Sequence, residues 1–352
     1  MRKALFFISG ILMILSMNDL KAQDPQFSQF YAAPLYINPG FTGASGYTRF
    51  GINYRNQWPN LEASFNTFSF YADHYLPNVN SGIGMIITSD KEGVAGLNST
   101  NIGLSYAYQL KITDNLIFSP GVQFNYFMRS ANWADLVFAD QIDPITGIIT
   151  GPTGDPVIIN TTGDQVNFLD ISVGGVFYTR TLFLGAALQH ITEPNQSFID
   201  DGESILPQRL TVHGGLKIKI GEGPLRKDLT YSRAERSITP VFQYKKQGQF
   251  SQIDLGAYIH LEPVNFGLQY RGIPFSPFEA TDGTTFPNNE ALVFILGVTT
   301  NSFNIGYSYD YTLSELGPSS GGAHEFSMTY FLNFNKPQRV PRNRWRIPCP
   351  KN

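Results

Sequence analysis

Five histidines are the first side chains to test for chemistry: His74, His190, His213, His260 and His324. Each falls on a separate expected strand or strand end. None stands at a recognisable motif spacing from a serine, or from the single cysteine, Cys349, as nucleophilic catalysis requires. There is no HExxH pair for zinc and no glycine-rich phosphate loop. His213, His260 and Lys217 read as polar packing inside a barrel. Residues 130–166 gather Asp135, Asp140, Asp143, Asp155 and Asp164 among Gly and Pro. Oxygen-rich loops can hold calcium, but the EF-hand spacing is absent, and a solvated loop fits better. The Gly-x-Gly of "SGIGM" at Ser81 fits a crowded barrel turn. No convergent nucleophile and base emerges. The expectation is a non-enzyme with no catalytic residue, metal or cofactor.

Binding is the remaining chemistry, and two segments carry its signals. The first is "QDPQFSQFYAAPLYINPGFTG", residues 23–43. Pro25, Pro34 and Pro39 fix the backbone and lower the entropy cost of ordering it. Phe27, Phe30, Tyr31 and Tyr36 seek apolar burial. With Asp24 and Asn38 they form the expected plug or docking peptide, folded back over the lumen's periplasmic mouth or held by a partner. The second is the tail 335–352, where Lys336, Arg339, Arg342, Arg344 and Arg346 stand without an acid. It reads either as a disordered tail or as a periplasmic arm for an acidic partner or membrane surface.

Other elements must position these segments. Residues 1–22 have a basic start, an apolar run from Ala4 to Met17 and a small residue, Ala22, before the expected cut. Those are the parts of a secretory signal peptide, and the run is shorter than the ~18 residues of a spanning helix. The chain carries 25 Lys+Arg against 28 Asp+Glu. Removing 1–22 takes away three basic residues and one acidic residue, so the net charge moves from −3 to −5. That balance excludes nucleic acid as a partner. Aromatic residues make up 14% and charged residues only 15% of the chain, against about 25% charged in ordinary soluble domains.

Period-two alternation supplies the fold. In "HEFSMTYFLNF", Phe326, Met328, Tyr330, Leu332 and Phe334 oppose Glu325, Ser327 and Thr329. In "NIGYSYDYTLS", Ile305, Tyr307, Tyr309, Tyr311 and Leu313 oppose Asn304, Ser308, Asp310 and Thr312. In "QIDLGAYIHLE", Ile253, Leu255, Ala257, Ile259 and Leu261 oppose Asp254, Tyr258 and His260. Such strands match the ~9–11 residues that cross a bilayer when tilted, and their apolar faces end in aromatics, as lipid-facing bands do. The pattern predicts an all-β transmembrane outer-membrane barrel over 46–334 with about 14 antiparallel strands. An even count puts both termini on the periplasmic side. Links between strands are long at one end and tight at the other. The exception is 222–237, a long link on the short side that reads as a periplasmic contact.

The leading segment resembles the start of the mature PorP/SprF family, membrane proteins of the type IX secretion system. The resemblance continues in "YRNQWP" at 54–59, "LSYAYQL" at 104–110, "GYSYDYTLSEL" at 306–316, "GAHEFSMTY" at 322–330 and Cys349-Pro350. Loop 130–166 departs from it. The resemblance implies an outer-membrane barrel, with outer-membrane lipids around it, that serves this machinery. It implies one of two roles. The first is support of secretion or surface anchoring of a large adhesin-like partner, tied to gliding motility. The second is a structural part of the envelope-spanning apparatus, contacting periplasmic ring or peptidoglycan-associated proteins. From another class, a porin or apolar-solute transporter is the competing reading. The resemblance brings no catalytic residue with it.

Overall fold

The computed structural model describes residues 24–332, apart from 63, 94–95, 134–135, 144–145, 150, 155–163, 200–201, 226–232, 280–284, 301 and 315. The signal segment and the basic tail therefore lie outside the described residues. Sixteen strands follow in order: β1 Thr48–Gln57, β2 Phe65–Leu76, β3 Ser81–Glu92, β4 Leu97–Tyr108, β5 Leu110–Thr113, β6 Leu116–Ser130, β7 Gln165–Tyr178, β8 Leu182–Gln189, β9 Arg209–Leu216, β10 Ile218–Leu225, β11 Arg233–Gln247, β12 Phe250–Leu261, β13 Val264–Glu279, β14 Thr285–Thr299, β15 Phe303–Thr312 and β16 Ala323–Leu332.

Each strand pairs antiparallel with its neighbours, and the sheet closes where β1 meets β16, Thr48 opposite Leu332. β5 continues β4 against β6, and β10 continues β9 against β11. The sixteen segments thus form 14 staves of one closed barrel. The alternation read from the sequence is the alternation of this wall, with the apolar side facing outward. Phe326 is 48% exposed and its neighbour Glu325 1%. Ile305, Tyr307 and Tyr311 face out, while Asn304, Ser308 and Asp310 are buried. An apolar exterior around a closed sheet is what lipid requires, because closure leaves no sheet edge with unpaired backbone groups in hydrocarbon.

The two rims differ. One carries 58–64, 93–96, 131–164, 190–208 and 313–322 and is called the loop rim here. The other, the turn rim, carries the links 77–80, 179–181 and 262–263, with the start of β1 and the end of β16. Two expected links contain strand instead. Among the described residues, 222–225 and 233–237 belong to β10 and β11, and 276–279 and 285–289 to β13 and β14. Pro224, Pro274, Pro277 and Pro287 break the alternation there, which is why the sequence reads as loop. The backbone still pairs, with register shifts between Lys219 and Gly221, Glu222 and Leu225, and Ile273 and Phe278, the kind of bulge that absorbs an irregular residue.

Candidate functional site

The described residues ahead of β1, from Asp24 onward, run through the barrel. The sequence places 23–45 on the periplasmic side, at the lumen's mouth. In the structure, Phe27, Phe30, Tyr31, Pro34, Asn38 and Pro39 are all buried within the lumen. This strap begins at the loop rim, where the Asp24 N–H donates to Gln247 Oε1 (3.1 Å), and reaches the turn rim at Thr48. Its turns follow from its prolines. Pro34 opens the single helical turn Pro34–Ile37, and Pro39 opens the 3-10 turn Pro39–Phe41, positions where a missing N–H and a fixed φ cost nothing. Asn38 caps the second turn by accepting from the Gly40 N–H at 2.8 Å. Its amide nitrogen donates to the carbonyls of Gly175 (3.1 Å) and Ala186 (3.0 Å).

The wall is shaped to receive this backbone. A Cβ on Gly121 would stand 2.5 Å from the Pro39 carbonyl carbon, and one on Gly82 would run into the Thr42 carbonyl. Gly82 belongs to "SGIGM", so the crowding read there comes from the strap rather than from a turn.

In the half of the lumen nearer the turn rim the strap forms a hydrophobic core. Phe30, Tyr31, Ile37 and Phe41 pack with Val176, Tyr178, Phe183, Val241, Tyr258, Val293 and Ile295 of the wall. Tyr31 meets Phe183 edge-on at 5.2 Å, and its hydroxyl donates to the Gly214 carbonyl at 3.1 Å. Below this core Thr42 Oγ1 donates to Ser105 Oγ (2.9 Å) and the Gly43 N–H to Asp73 Oδ2 (2.8 Å), where Arg49 also pairs at 2.7 Å from Oδ1.

In the half nearer the loop rim the contacts are ionic. Glu325 accepts the backbone N–H groups of Ser28 (2.6 Å) and Gln29 (3.0 Å). Ser28 Oγ donates to Asp310 (2.6 Å) and accepts from Arg55 (2.6 Å) and Arg271 (3.0 Å). Both guanidinium groups lie 2.9 Å from Asp310 Oδ2, and Arg271 also pairs with Asp254 at 2.8 Å. Gln26 bridges Glu290 (2.6 Å) and Lys245 (2.8 Å). Buried charges on this scale persist only when paired and hydrogen-bonded, and here the strap supplies part of the pairing.

At the loop rim Asp24 lies 2.7 Å from His190 Nε2 and 2.9 Å from Arg209, while His190 Nδ1 faces Asp170 at 3.0 Å. Burial pushes the Asp24 carboxyl up, but His190 and Arg209 outweigh it and hold the group below the usual carboxylate range. Burial likewise pushes the His190 imidazolium down, and Asp24 with Asp170 overcomes it, raising the pKa to about 9. Tyr36 folds back to this corner. Its hydroxyl donates to the Pro25 carbonyl and accepts from Arg209 (3.1 Å), its ring lies under that guanidinium at 4.8 Å, and Phe27 meets it edge-on at 5.2 Å. Burial raises the Tyr36 hydroxyl above its ordinary pKa.

The structure therefore brings all nine singled-out strap residues into one lumen, and adds Gln26, Ser28, Gln29 and Thr42. Sequence reasoning missed these because their partners lie 27 to 298 positions away. The available signal was ionisable residues on the inward faces of spanning strands, such as Arg55, Asp310 and Glu325, which are costly in a membrane and mark a site. The described aspartates of the long loop hold its own turns. Asp140 accepts from Thr153 (2.8 Å) and Gly154 (2.6 Å), and Asp143 from the Thr146 N–H (3.0 Å).

A closed barrel, apolar outside and occupied by its own leading segment, is a membrane β-barrel whose lumen is packed rather than left as a wide channel. The family of type IX secretion system membrane proteins PorP/SprF matches residues 19–330. The chain belongs to that family. A search of curated proteins gives no match. Among solved structures the chain is similar to Omp33 of Acinetobacter baumannii, at 6% identity and a TM-score of 0.42 over 82% of this chain and 100% of that one. It is also similar to a triple-mutant porin of Rhodopseudomonas blastica, at 8% identity and a TM-score of 0.31 over 81% and 99%. CdiB from Acinetobacter baumannii matches at 7% identity and a TM-score of 0.38, over 80% and 60%.

Proposed function

We propose that the chain is exported by the signal segment 1–22 and works in the outer membrane as a non-conducting, protein-binding barrel of the type IX secretion system. In this reading it supports secretion or surface anchoring of a large adhesin-like partner, the role that ties such barrels to gliding motility. The strap packed through the lumen carries the reading. A porin needs an open polar passage, whereas here Phe30, Tyr31 and Phe41 occupy the middle of the lumen in a hydrophobic core. The loop rim is then the external face, and a surface partner meets the Asp24 corner and the loops 131–164 and 190–208.

A second reading is favoured by one observation. β10 and β11 run on past the turn-rim ends of β8 and β9, and the last residues of β10 pair with β11 alone. This extension and the basic tail 335–352 would face the periplasm, where ring or peptidoglycan-associated proteins lie. The test is a pull-down of the tagged barrel from outer membranes in mild detergent, with mass spectrometry of its companions. One very large secreted protein is the expected companion under the anchoring reading. Periplasmic ring and peptidoglycan-associated proteins would instead establish the structural role. If neither came down and the pure barrel conducted ions, both readings would fail in favour of a porin.

A further inference from the structure

At the loop rim, the segments 131–164 and 190–208 contain no lysine or arginine. Among their described residues Asp140, Asp143, Asp164, Glu193 and Glu203 supply the charge. Each segment carries a hairpin braced by its own hydrogen bonds. In the first, Ile142 bridges Ile149, the Asp143 N–H donates to the Ile148 carbonyl (3.0 Å), and Gln141 Nε2 donates to the Gly151 carbonyl (3.1 Å). In the second, Asn195 bridges Ile205, the Gln196 N–H donates to the Ser204 carbonyl (2.9 Å), and Asn195 Nδ2 donates to the Gly202 carbonyl (2.8 Å). Trp133 meets Phe198 edge-on at 5.4 Å and joins the two segments. Yet the first hairpin turns its isoleucines outward. Ile142 is 44% exposed, Ile149 57% and Ile148 62%, and Ile205 of the second hairpin is 41% exposed.

These isoleucines stand in linking segments, not in the spanning strands that face lipid. Exposed apolar side chains set among polar groups mark an interaction surface, and charge decides among its occupants. A second copy would bring carboxylates against carboxylates, and so would an anionic lipid surface. Like charges in contact are costly. The chain's own tail 335–352 is basic, but it follows Leu332 at the turn rim, the other end of the barrel. A basic polypeptide arriving from outside is drawn by the carboxylates and can cover the isoleucines. We propose that the two hairpins form a docking surface for a basic, apolar protein segment, in which lysine or arginine side chains meet Asp140, Glu193 and Glu203, and aliphatic or aromatic side chains cover Ile142, Ile148 and Ile149. The inference rests on the reading that this rim meets a surface partner, and it names the chemistry of that partner's contacting segment.

The test is titration of the full-length barrel in phosphatidylcholine nanodiscs, with empty discs subtracted, using short synthetic peptides. One alternates lysine with isoleucine and glycine, a second has glutamate for lysine, and a third has serine for isoleucine. Saturable binding of the lysine–isoleucine peptide is expected, and it should weaken about fivefold or more at roughly 0.5 M salt, where exposed charges are screened. Ile148→Ser with Ile149→Ser should weaken it by about fivefold or more through lost apolar contact. Glu193→Gln with Glu203→Gln, which leaves the turns intact, should weaken it by about two- to threefold and flatten the salt dependence. Asp114→Asn, at the exposed turn rim, should change nothing. No binding of the lysine–isoleucine peptide would overturn the proposal. So would equal or tighter binding of the glutamate or serine peptide, or binding unaltered by either pair of substitutions. On intact cells, Thr146→Cys (Cys349→Ser) should label with an impermeant maleimide and Asn115→Cys (Cys349→Ser) should not. The reverse pattern would overturn the external placement of this rim even with peptide binding intact, whereas failed peptide binding with the expected labelling would overturn this inference alone.

Discussion

The two halves of the lumen hold the same strap by opposite means. Toward the turn rim, Phe30, Tyr31 and Phe41 sit among wall residues such as Phe183 and Val293, as in the core of a soluble domain. Toward the loop rim, Ser28 and Asp24 are fixed by guanidinium, carboxylate and imidazole groups. Apolar burial is strong but weakly directional, so it explains why the strap enters and stays. Hydrogen-bonded charges are costly if mismatched, so they explain why it rests in one register. The half with the core is built to hold, and the half with the charges to discriminate and to respond to conditions.

The largest blow to this comparison is removal of the strap. Deleting 24–43 exposes the inward apolar residues of one half and strips Glu325 and Arg209 of partners in the other. The barrel is then expected to lose its heat-resistant folded band in gel electrophoresis. A deletion variant as heat-resistant as the full chain would mean that the wall needs no strap.

Asp310→Asn comes next. It removes the counter-charge shared by Arg55 and Arg271 at 2.9 Å, and breaking a buried pair costs about 3–5 kcal/mol. Denaturant unfolding in detergent should show that loss, and a change under about 1 kcal/mol would contradict the ionic account.

The His190 contact follows, and its sign is fixed. The folded pKa, about 9, lies above the ordinary 6.5, so its contribution of up to about 3 kcal/mol is complete below pH 6.5 and lost as pH rises through 9. Asp24 behaves in the opposite sense, with a lowered pKa whose contribution is lost only in acid. A Pro25→Cys barrel (Cys349→Ser) should therefore label faster with a thiol reagent above pH 9, and His190→Gln should remove that rise. A flat pH profile in the His190 parent would contradict this role of the Asp24–His190 contact.

The smallest effect is expected in the apolar half, which answers to shape rather than pH. Gly121→Val pushes on Pro39 and should cost about 1–3 kcal/mol of overpacking, with the same deficit at pH 7 and pH 9.5. A pH-dependent deficit would blur the division between the halves.

Much of the wall was legible in the chain because lipid outside and polar packing inside force alternate residues to differ, as in "NIGYSYDYTLS". The ends of β10, β11, β13 and β14 were hidden where prolines interrupt that alternation. The strap advertised itself through Pro34, Pro39 and its aromatics, which have no use in a flexible leader. Its depth did not show. Ser28 and Gln29 look ordinary until Glu325 is beside them, and nothing local places a residue near position 28 against one 297 positions later.

The central claim is that the strap fills the lumen. Planar-bilayer conductance of the purified full-length barrel tests it most directly. The account predicts a silent membrane at neutral pH, because aromatic side chains and paired charges occupy the passage. A steady ohmic current of the size expected for an empty 14-stave barrel would contradict it.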